Sequence, residues 1–258
     1  MTMDNCWTGT PPQWVGSITA PFFVHAMADA IWLPGERQAT FAHRLHFNQG
    51  QILRGLYSCD HSAFAAVYEA RIQHRRPLTR AFIFVGRMIE RKGVPTLAAA
   101  YRLYRSRVRE PWPLICCGRG PLEPALESEP GVTIEGFVQP ASLPSKLAEA
   151  ACLVMPSTFE AWALAVHEAA AAGLLILASD AVGSGPHLVQ DNYNGFVFGV
   201  NDSEGLSRLM ERVSLLSDEK LNSMAAASYS LARQFTPARW ADTLFDFVGH
   251  TRHIRVHG

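Results

Sequence analysis

From residue 81 onward, short and almost wholly apolar runs alternate with longer stretches of helical periodicity. Residues 81–85 (AFIFV), 113–117 (PLICC), 132–134 (VTI), 152–155 (CLVM), 174–177 (LLIL) and 196–198 (FVF) read as strands. Helices are expected over 95–107, 141–150 and 162–172, with a short one from 121 and a tight turn at Asn194-Gly195. Runs this apolar offer no face to water, so they predict strands buried on both sides in a parallel sheet. Right-handed crossovers then make the region a doubly wound α/β domain. Three more helices are expected at 203–216, 218–234 and 237–248, the last opened by Thr236-Pro237 with proline in the first turn. The basic tail from His250 reads as solvated and frayed.

The first 80 residues follow a different pattern. Residues 28–34 read as a helix end feeding a strand, 36–47 as a helix, 51–54 as a short strand, and the basic stretch 71–80 with Pro77 as a linker. One or two strands do not make a sheet of their own, so this stretch reads as part of a domain. The expected division is 1–80, 81–235 and 236–258.

Composition narrows the classes. At 258 residues, 48% hydrophobic and 18% charged, the chain buries a substantial core as one large domain or two small ones. Lys+Arg and Asp+Glu both number 23, which argues against a nucleic-acid binder, since that needs a basic excess. The balance leaves room for a local cationic site. The longest apolar charge-free run, 169–179, falls well short of the roughly 20 residues that span a bilayer. The start MTMDNCWTGTPPQW has neither the basic opening nor the apolar stretch of a signal peptide. Five cysteines without C-x-x-C spacing predict reduced, packed thiols and a cytoplasmic setting rather than disulfides or a zinc cage.

In an open parallel sheet, ligands bind beyond the carboxyl ends of the strands, so the loops there carry the candidate chemistry. After the first strand comes Gly86-Arg87-Met-Ile-Glu-Arg-Lys92-Gly93. Arg87 forks onto two oxygens and Lys92 supplies a point charge, a suitable pair for a diphosphate at a helix start; two solvated loop cations fit the same pattern. Gly118-Arg119-Gly120 is followed by Glu123 where a G-x-G-x-x-G motif needs glycine, which rejects a nicotinamide-cofactor reading and leaves a tight turn. The richest loop is PSTFEAWALAVHEAAAAG (156–173). Glu160 stands before the expected helix and Glu168 within it, where a buried carboxylate needs donors such as ligand hydroxyls. Backbone N–H groups at Trp162, Ala163 and Leu164 would open that helix toward phosphate oxygens. A capping Glu160 with Glu168 on an exposed stripe is the alternative. His167 reads as a histidine at the rim or behind the ligand-contacting residues rather than a catalyst, and Ser157 lacks the G-x-S-x-G elbow of a serine nucleophile. The loop at 180–186 is a turn that either faces a ligand or only reverses the chain.

Taken together, FVGRMIERKG (84–93), ICCGRGPL (115–122), IEGFV (134–138), MPSTFEAWALAVHEAAAAG (155–173), ASDAVG (178–183), NYNGFVF (192–198) and LARQFTPARWA (231–241) resemble the nucleotide-sugar-binding half of a retaining family-4 glycosyltransferase of the GT-B fold. The resemblance runs in register over about 81–245 and includes the family's E-x7-E as Glu160 and Glu168. It implies a Rossmann-like domain in which Arg87 and Lys92 grip the donor diphosphate and Glu168 binds the ribose hydroxyls. It also implies that Glu160 stands near the donor sugar as the catalytic-site carboxylate. Trp162, Ala163 and Leu164 then meet sugar and phosphate, and the base lies against 136–138, ending at Val138. The implied reaction moves a sugar from a nucleoside-diphosphate sugar to a hydroxyl acceptor, a sugar or lipid-linked sugar, with retention. Cations and N–H groups, rather than a metal or other cofactor, stabilise the leaving diphosphate. Polysaccharide biosynthesis, with peripheral membrane contact, is the implied setting.

The chain departs from the resembled pattern at Ala161 and Ala163, where the family has glycine, and at Leu175, often proline. Each alanine adds a methyl and disfavours positive φ. The first 80 residues resemble only the closing segment of an acceptor-side domain, so the expectation is a truncated chain that binds donor but does not turn over alone. A non-catalytic nucleotide-sugar binding module and a nucleotide-sugar 2-epimerase are the alternatives, the latter disfavoured by the ordered GRxxxxKG and E-x7-E set.

Overall fold

A computed structural model describes the backbone of residues 1–256 and the side chains of residues 1–249. The chain divides into two units, Met1–Cys59 with Gln234–Gly258, and Asp60–Arg233. In the first, α1 (Pro11–Phe23), β1 (Ile31–Trp32), α2 (Glu36–Arg44) and β2 (Ile52–Leu53) precede residue 60. β1 and β2 pair in parallel, Ile31 opposite Ile52, and Thr2 bridges to Trp32. Ile31, Leu33, Phe41, Phe47 and Ile52 close a small core. The helix α1 escapes the sequence pattern because it opens on two prolines, contains Pro21 and has no charged face to set against an apolar one. It buries Ala20 while leaving Val15, Ile18 and Phe22 exposed.

The larger unit opens with α3 (His61–Gln73), capped by the Asp60 carboxylate, which accepts from Ala63 N at 3.3 Å. It continues through β3 (Phe82–Val85), α4 (Val94–Arg107), β4 (Leu114–Cys117), α5 (Glu123–Glu127), β5 (Val132–Gly136), α6 (Leu143–Leu147), β6 (Cys152–Met155), α7 (Leu164–Ala171), β7 (Leu175–Ser179), α8 (Gly185–Leu188), β8 (Gly195–Phe198), α9 (Ser203–Ser214) and α10 (Asp218–Ala232). The six strands form one parallel sheet in the order β5-β4-β3-β6-β7-β8. Chain direction across the sheet reverses between β3 and β6, which is therefore the topological switch point. The central strands are buried on both faces, with Phe82, Ile83, Leu153, Val154, Ile176 and Leu177 fully covered. Helices α4 and α9 pack together in one layer, and α3, α7 and α10 in the other. Pro95 lies in the first turn of α4, where its missing N–H costs nothing.

Two boundaries differ from the sequence expectation. Residues 60–80, grouped there with the first domain and read partly as a linker, belong to the sheet unit: α3 packs on α6 and α7, and Tyr68 stacks on Tyr229 at 4.3 Å. The last helix, α11 (Pro237–Val256), belongs with the N-terminal residues, because Trp240 stacks on Trp32 at 4.8 Å and its Nε1 donates to Leu56 O. Its backbone continues past residue 248, the end expected from sequence. The solvated side chains expected from His250 lie outside the described residues.

Candidate functional site

The loops beyond the carboxyl ends of β3, β4, β5, β6 and β7 lock together through their backbones. Gly86 N donates to Cys117 O at 2.9 Å, Gly118 N to Gly136 O at 2.7 Å, and Met88 N to Arg119 O at 2.9 Å. Thr158 N donates to Arg91 O at 2.9 Å, Gly183 N to Glu160 O at 3.0 Å, and Ser184 N to Trp162 O at 2.8 Å. Such contact leaves no space for side chains at the crossing points. A Cβ on Gly93, whose φ is +70°, would run into the carbonyl of Pro156, and one on Gly183 into that of Ala161. The glycines of the Gly118-Arg119-Gly120 turn serve the same purpose, lying against Gly86 O and Met88 O. The turn reading of this segment thus acquires a cause: it is the place where two loops touch.

On this frame the structure brings Lys92 and Glu160 into direct contact across the switch point, Nζ donating to Oε1. Both are largely covered, their side chains 16% and 12% exposed. The same Oε1 accepts from Ser157 Oγ at 3.1 Å. Ser157 is fully buried, and Ser179 Oγ donates to its carbonyl. Arg87 lies exposed on the same loop as Lys92. Pairing of a buried carboxylate with an ammonium and a hydroxyl is the arrangement that low-dielectric surroundings demand.

The helix expected from Trp162 begins at Leu164 instead, with Ala163 as its N-cap at φ 75°, ψ 80°. Trp162 precedes it with a buried side chain, its ring 5.6 Å from His187 and edge-on to His167 at 6.4 Å. Any contact it makes with a ligand is through its backbone. Leu164 is exposed at the helix opening, where first-turn N–H groups have no intrahelical acceptor. Ala163 occupies the left-handed conformation that the sequence argument associated with glycine, whereas Ala161 does not have positive φ. The expected conformational difficulty is therefore confined to one of the two alanines.

Glu168 is half-buried in α7, and burial pushes its carboxyl up to about 7. The exposed-stripe alternative does not describe it. His167, expected at the rim or behind the residues that meet the ligand, is fully buried, which excludes the rim; burial first, then the charge of His61, pushes its imidazole down to about 4, against a smaller opposing effect of the Ala232 carbonyl. His167 faces α10, where it meets the Ala232 carbonyl, while its neighbour Glu168 is only half-buried. Val138 is half-buried just past edge strand β5, next to the exposed Phe137, and Arg119 packs across neighbouring Gly136. It lies at the same end of the sheet as Arg87 and Glu160, two strands from β3.

Ser157 and Ser179 are the site residues that sequence reasoning missed. The sequence presents Ser157 only as a rejected nucleophile, yet its position three residues before Glu160, just past the end of β6, is the available signal. Among the described residues no cluster of three or more His, Cys, Asp or Glu side chains is arranged to hold a metal ion, and no helix is long and apolar enough to cross a membrane. Burial raises the thiols of Cys116, Cys117 and Cys152, that of Cys117 to about 11, so all three stay protonated and pack as small apolar groups.

The loop of Lys92, the largely buried Glu160 and the opening of α7 lie beyond the carboxyl ends of β3 and β6 in a doubly wound sheet, the place where open α/β sheets take their ligands. The chain belongs to the family of glycosyl transferases group 1, which it matches over residues 79–215, more than half of its length. It is 30% identical over 163 residues to the O-antigen chain mannosyltransferase B of Escherichia coli, a stretch that is 60% of this chain. The matched region spans only 42% of that relative's length. Among solved structures, HepE of Anabaena in complex with UDP and glucose superposes with a TM-score of 0.72 at 15% identity, covering 96% of this chain and 71% of HepE. Sucrose-phosphate synthase of Thermosynechococcus elongatus gives 0.70 at 21% identity, covering 90% of this chain and 59% of the synthase. At these identities the likeness concerns the fold, which is that of GT-B glycosyltransferases.

Proposed function

We propose that this chain binds a nucleoside-diphosphate sugar at the switch point of its six-stranded unit and serves as the donor half of a retaining, family-4, hexosyl-type glycosyltransferase. The observation that carries the reading is the meeting of Lys92 with Glu160 beside exposed Arg87, on loops whose backbones interlock. In this reading Arg87 and Lys92 take the diphosphate, and the first-turn N–H groups at Leu164 take a phosphate or sugar oxygen. As the glycosidic bond to the leaving diphosphate lengthens, negative charge grows on its oxygens. Two cations fixed by a rigid frame stabilise that charge without reorganising. Glu160 stands beside the sugar, and Glu168 accepts from the ribose hydroxyls, for which it must be ionised.

The acceptor is proposed to be the hydroxyl of a sugar or lipid-linked sugar, and the setting polysaccharide assembly at the cytoplasmic side of a membrane. The relative named an O-antigen chain mannosyltransferase supports polysaccharide assembly. Binding without turnover is a second reading, favoured because every candidate residue in the site bears on the donor and none on an acceptor. Calorimetry with UDP, GDP and ADP tests the shared core of both. At least one nucleotide should bind, and Arg87→Ala should weaken it by about 1.5–3 kcal/mol, the value of a charge-assisted hydrogen bond. Absence of binding to all three sinks the proposal. Product analysis with the matching sugar nucleotides then separates transferase from binder.

A further inference from the structure

Lys92 has two claims on its charge. In the structure its ammonium lies on Glu160 Oε1; in the proposed function it grips a diphosphate, which carries more negative charge than one carboxylate. An arriving diphosphate therefore draws Lys92 toward itself and weakens the ion pair. Glu160 is only 12% exposed, so water does not readily replace what it loses in place, and a mostly buried carboxylate short of donors swings away. The one other side-chain donor to Glu160 among the described contacts is Ser157 Oγ, at 3.1 Å from the same oxygen.

Ser157 is built to stay. It is fully buried, and Ser179 Oγ, from the end of β7, donates to its carbonyl. The flanking chain is fixed by Thr158 N donating to Arg91 O and by Gly93 lying against Pro156. Its hydroxyl has a single proton and two acceptors in reach, Glu160 Oε1 and Met155 Sδ at 3.3 Å. A carboxylate is a far stronger acceptor than a thioether, so the proton goes to Glu160.

We propose that Ser157 is a positioning residue that keeps Glu160 aimed at the donor sugar while Lys92 is engaged by the diphosphate. This inference rests on the donor-binding function proposed above and adds a division of labour to it. Lys92 answers to the phosphates, and Ser157, through Glu160, answers to the sugar.

The test separates those two responses. Affinities of wild type, Ser157→Ala, Glu160→Ala and the double variant are measured by calorimetry for UDP, GDP and ADP and for their glucose and mannose conjugates. Ser157→Ala should leave the preferred nucleoside diphosphate within twofold of wild type and weaken its sugar conjugate about tenfold or more, the loss of one hydrogen bond to a charged group. In the Glu160→Ala background the serine substitution should change neither affinity, because the group it acts through is gone. A general disturbance of the loop would weaken both ligands and would persist in the double variant. Equal weakening of both ligands, no weakening of either, or an undiminished serine effect in the Glu160→Ala background overturns the inference alone. A wild type that binds none of the ligands overturns the donor reading and this inference together.

Discussion

The two units handle apolar surface in opposite ways. In the unit of residues 60–233, six consecutive strands lie in one sheet between two helical layers, and the loops above it touch backbone to backbone. In the other, two strands of two residues support α1, whose Ile18 and Phe22 side chains are 70% and 77% exposed. The first unit is a closed packing problem in which each position is constrained from several sides. The second keeps an open face. The difference teaches where substitutions will be felt and where function is held: rigid geometry, which a site needs, exists only in the closed unit.

One substitution type tests this most severely. Gly93→Ala should cost about 3 kcal/mol or more, since a left-handed φ and the Pro156 carbonyl both refuse a Cβ. Gly16→Ala in α1, with nothing near its Cβ position, should instead be neutral or stabilise by about 0.5–1 kcal/mol. Urea unfolding of both variants measures the contrast, and equal effects would erase it.

A smaller effect should appear on acidification. His167 has a folded-state value of about 4 against 6.5 for the free group, so the unfolded chain binds the proton more readily. The stability this neutral imidazole contributes is complete above about pH 6.5 and is lost as pH falls toward about 4. Denaturation of wild type and His167→Gln at a series of pH values isolates this contribution: the stability of wild type relative to the variant should grow as pH rises from about 4 to 6.5, whatever the variant's baseline. Glu168 acts with the opposite sign: its raised value means that ionisation between about 4.5 and 7 destabilises the fold.

Next in size, Ala163→Gly should raise stability by about 1 kcal/mol by relieving the left-handed N-cap; an unfolding midpoint that stays put would show that α7 tolerates the strain. The smallest effect is expected on the open face. Phe22→Ser should shift stability by less than about 0.5 kcal/mol while lowering the binding of an apolar dye, and a large destabilisation would reveal packing that α1 does not display.

How much of this was legible in the sequence follows the same divide. The strands from 82 to 198 were readable because doubly covered strands have no polar positions to blur them. Helices α1 and α3 were not: the first has prolines and no polar stripe, and the second ends inside a basic stretch that reads as linker. At the candidate site, Lys92 and Glu160 were legible as residue types in the loops after β3 and β6, with Arg87 on the first of these loops and Glu168 on α7. What the linear order does not contain is pairing. Lys92 and Glu160 are 68 positions apart, and only the adjacency of β3 and β6 brings them together. The roles of Ser157 and Ser179 depend on that same adjacency, and a one-residue rotation along α7 decides that His167 faces inward while Glu168 does not.

The interlocked glycines also set rules for anyone wishing to retune this crevice. Diversity introduced at Gly93, Gly118 or Gly183 would be spent on repairing collisions between loops. The side chains of Arg87 and Phe137 are exposed on those loops, and a library built there explores new ligand shapes on an undisturbed chassis.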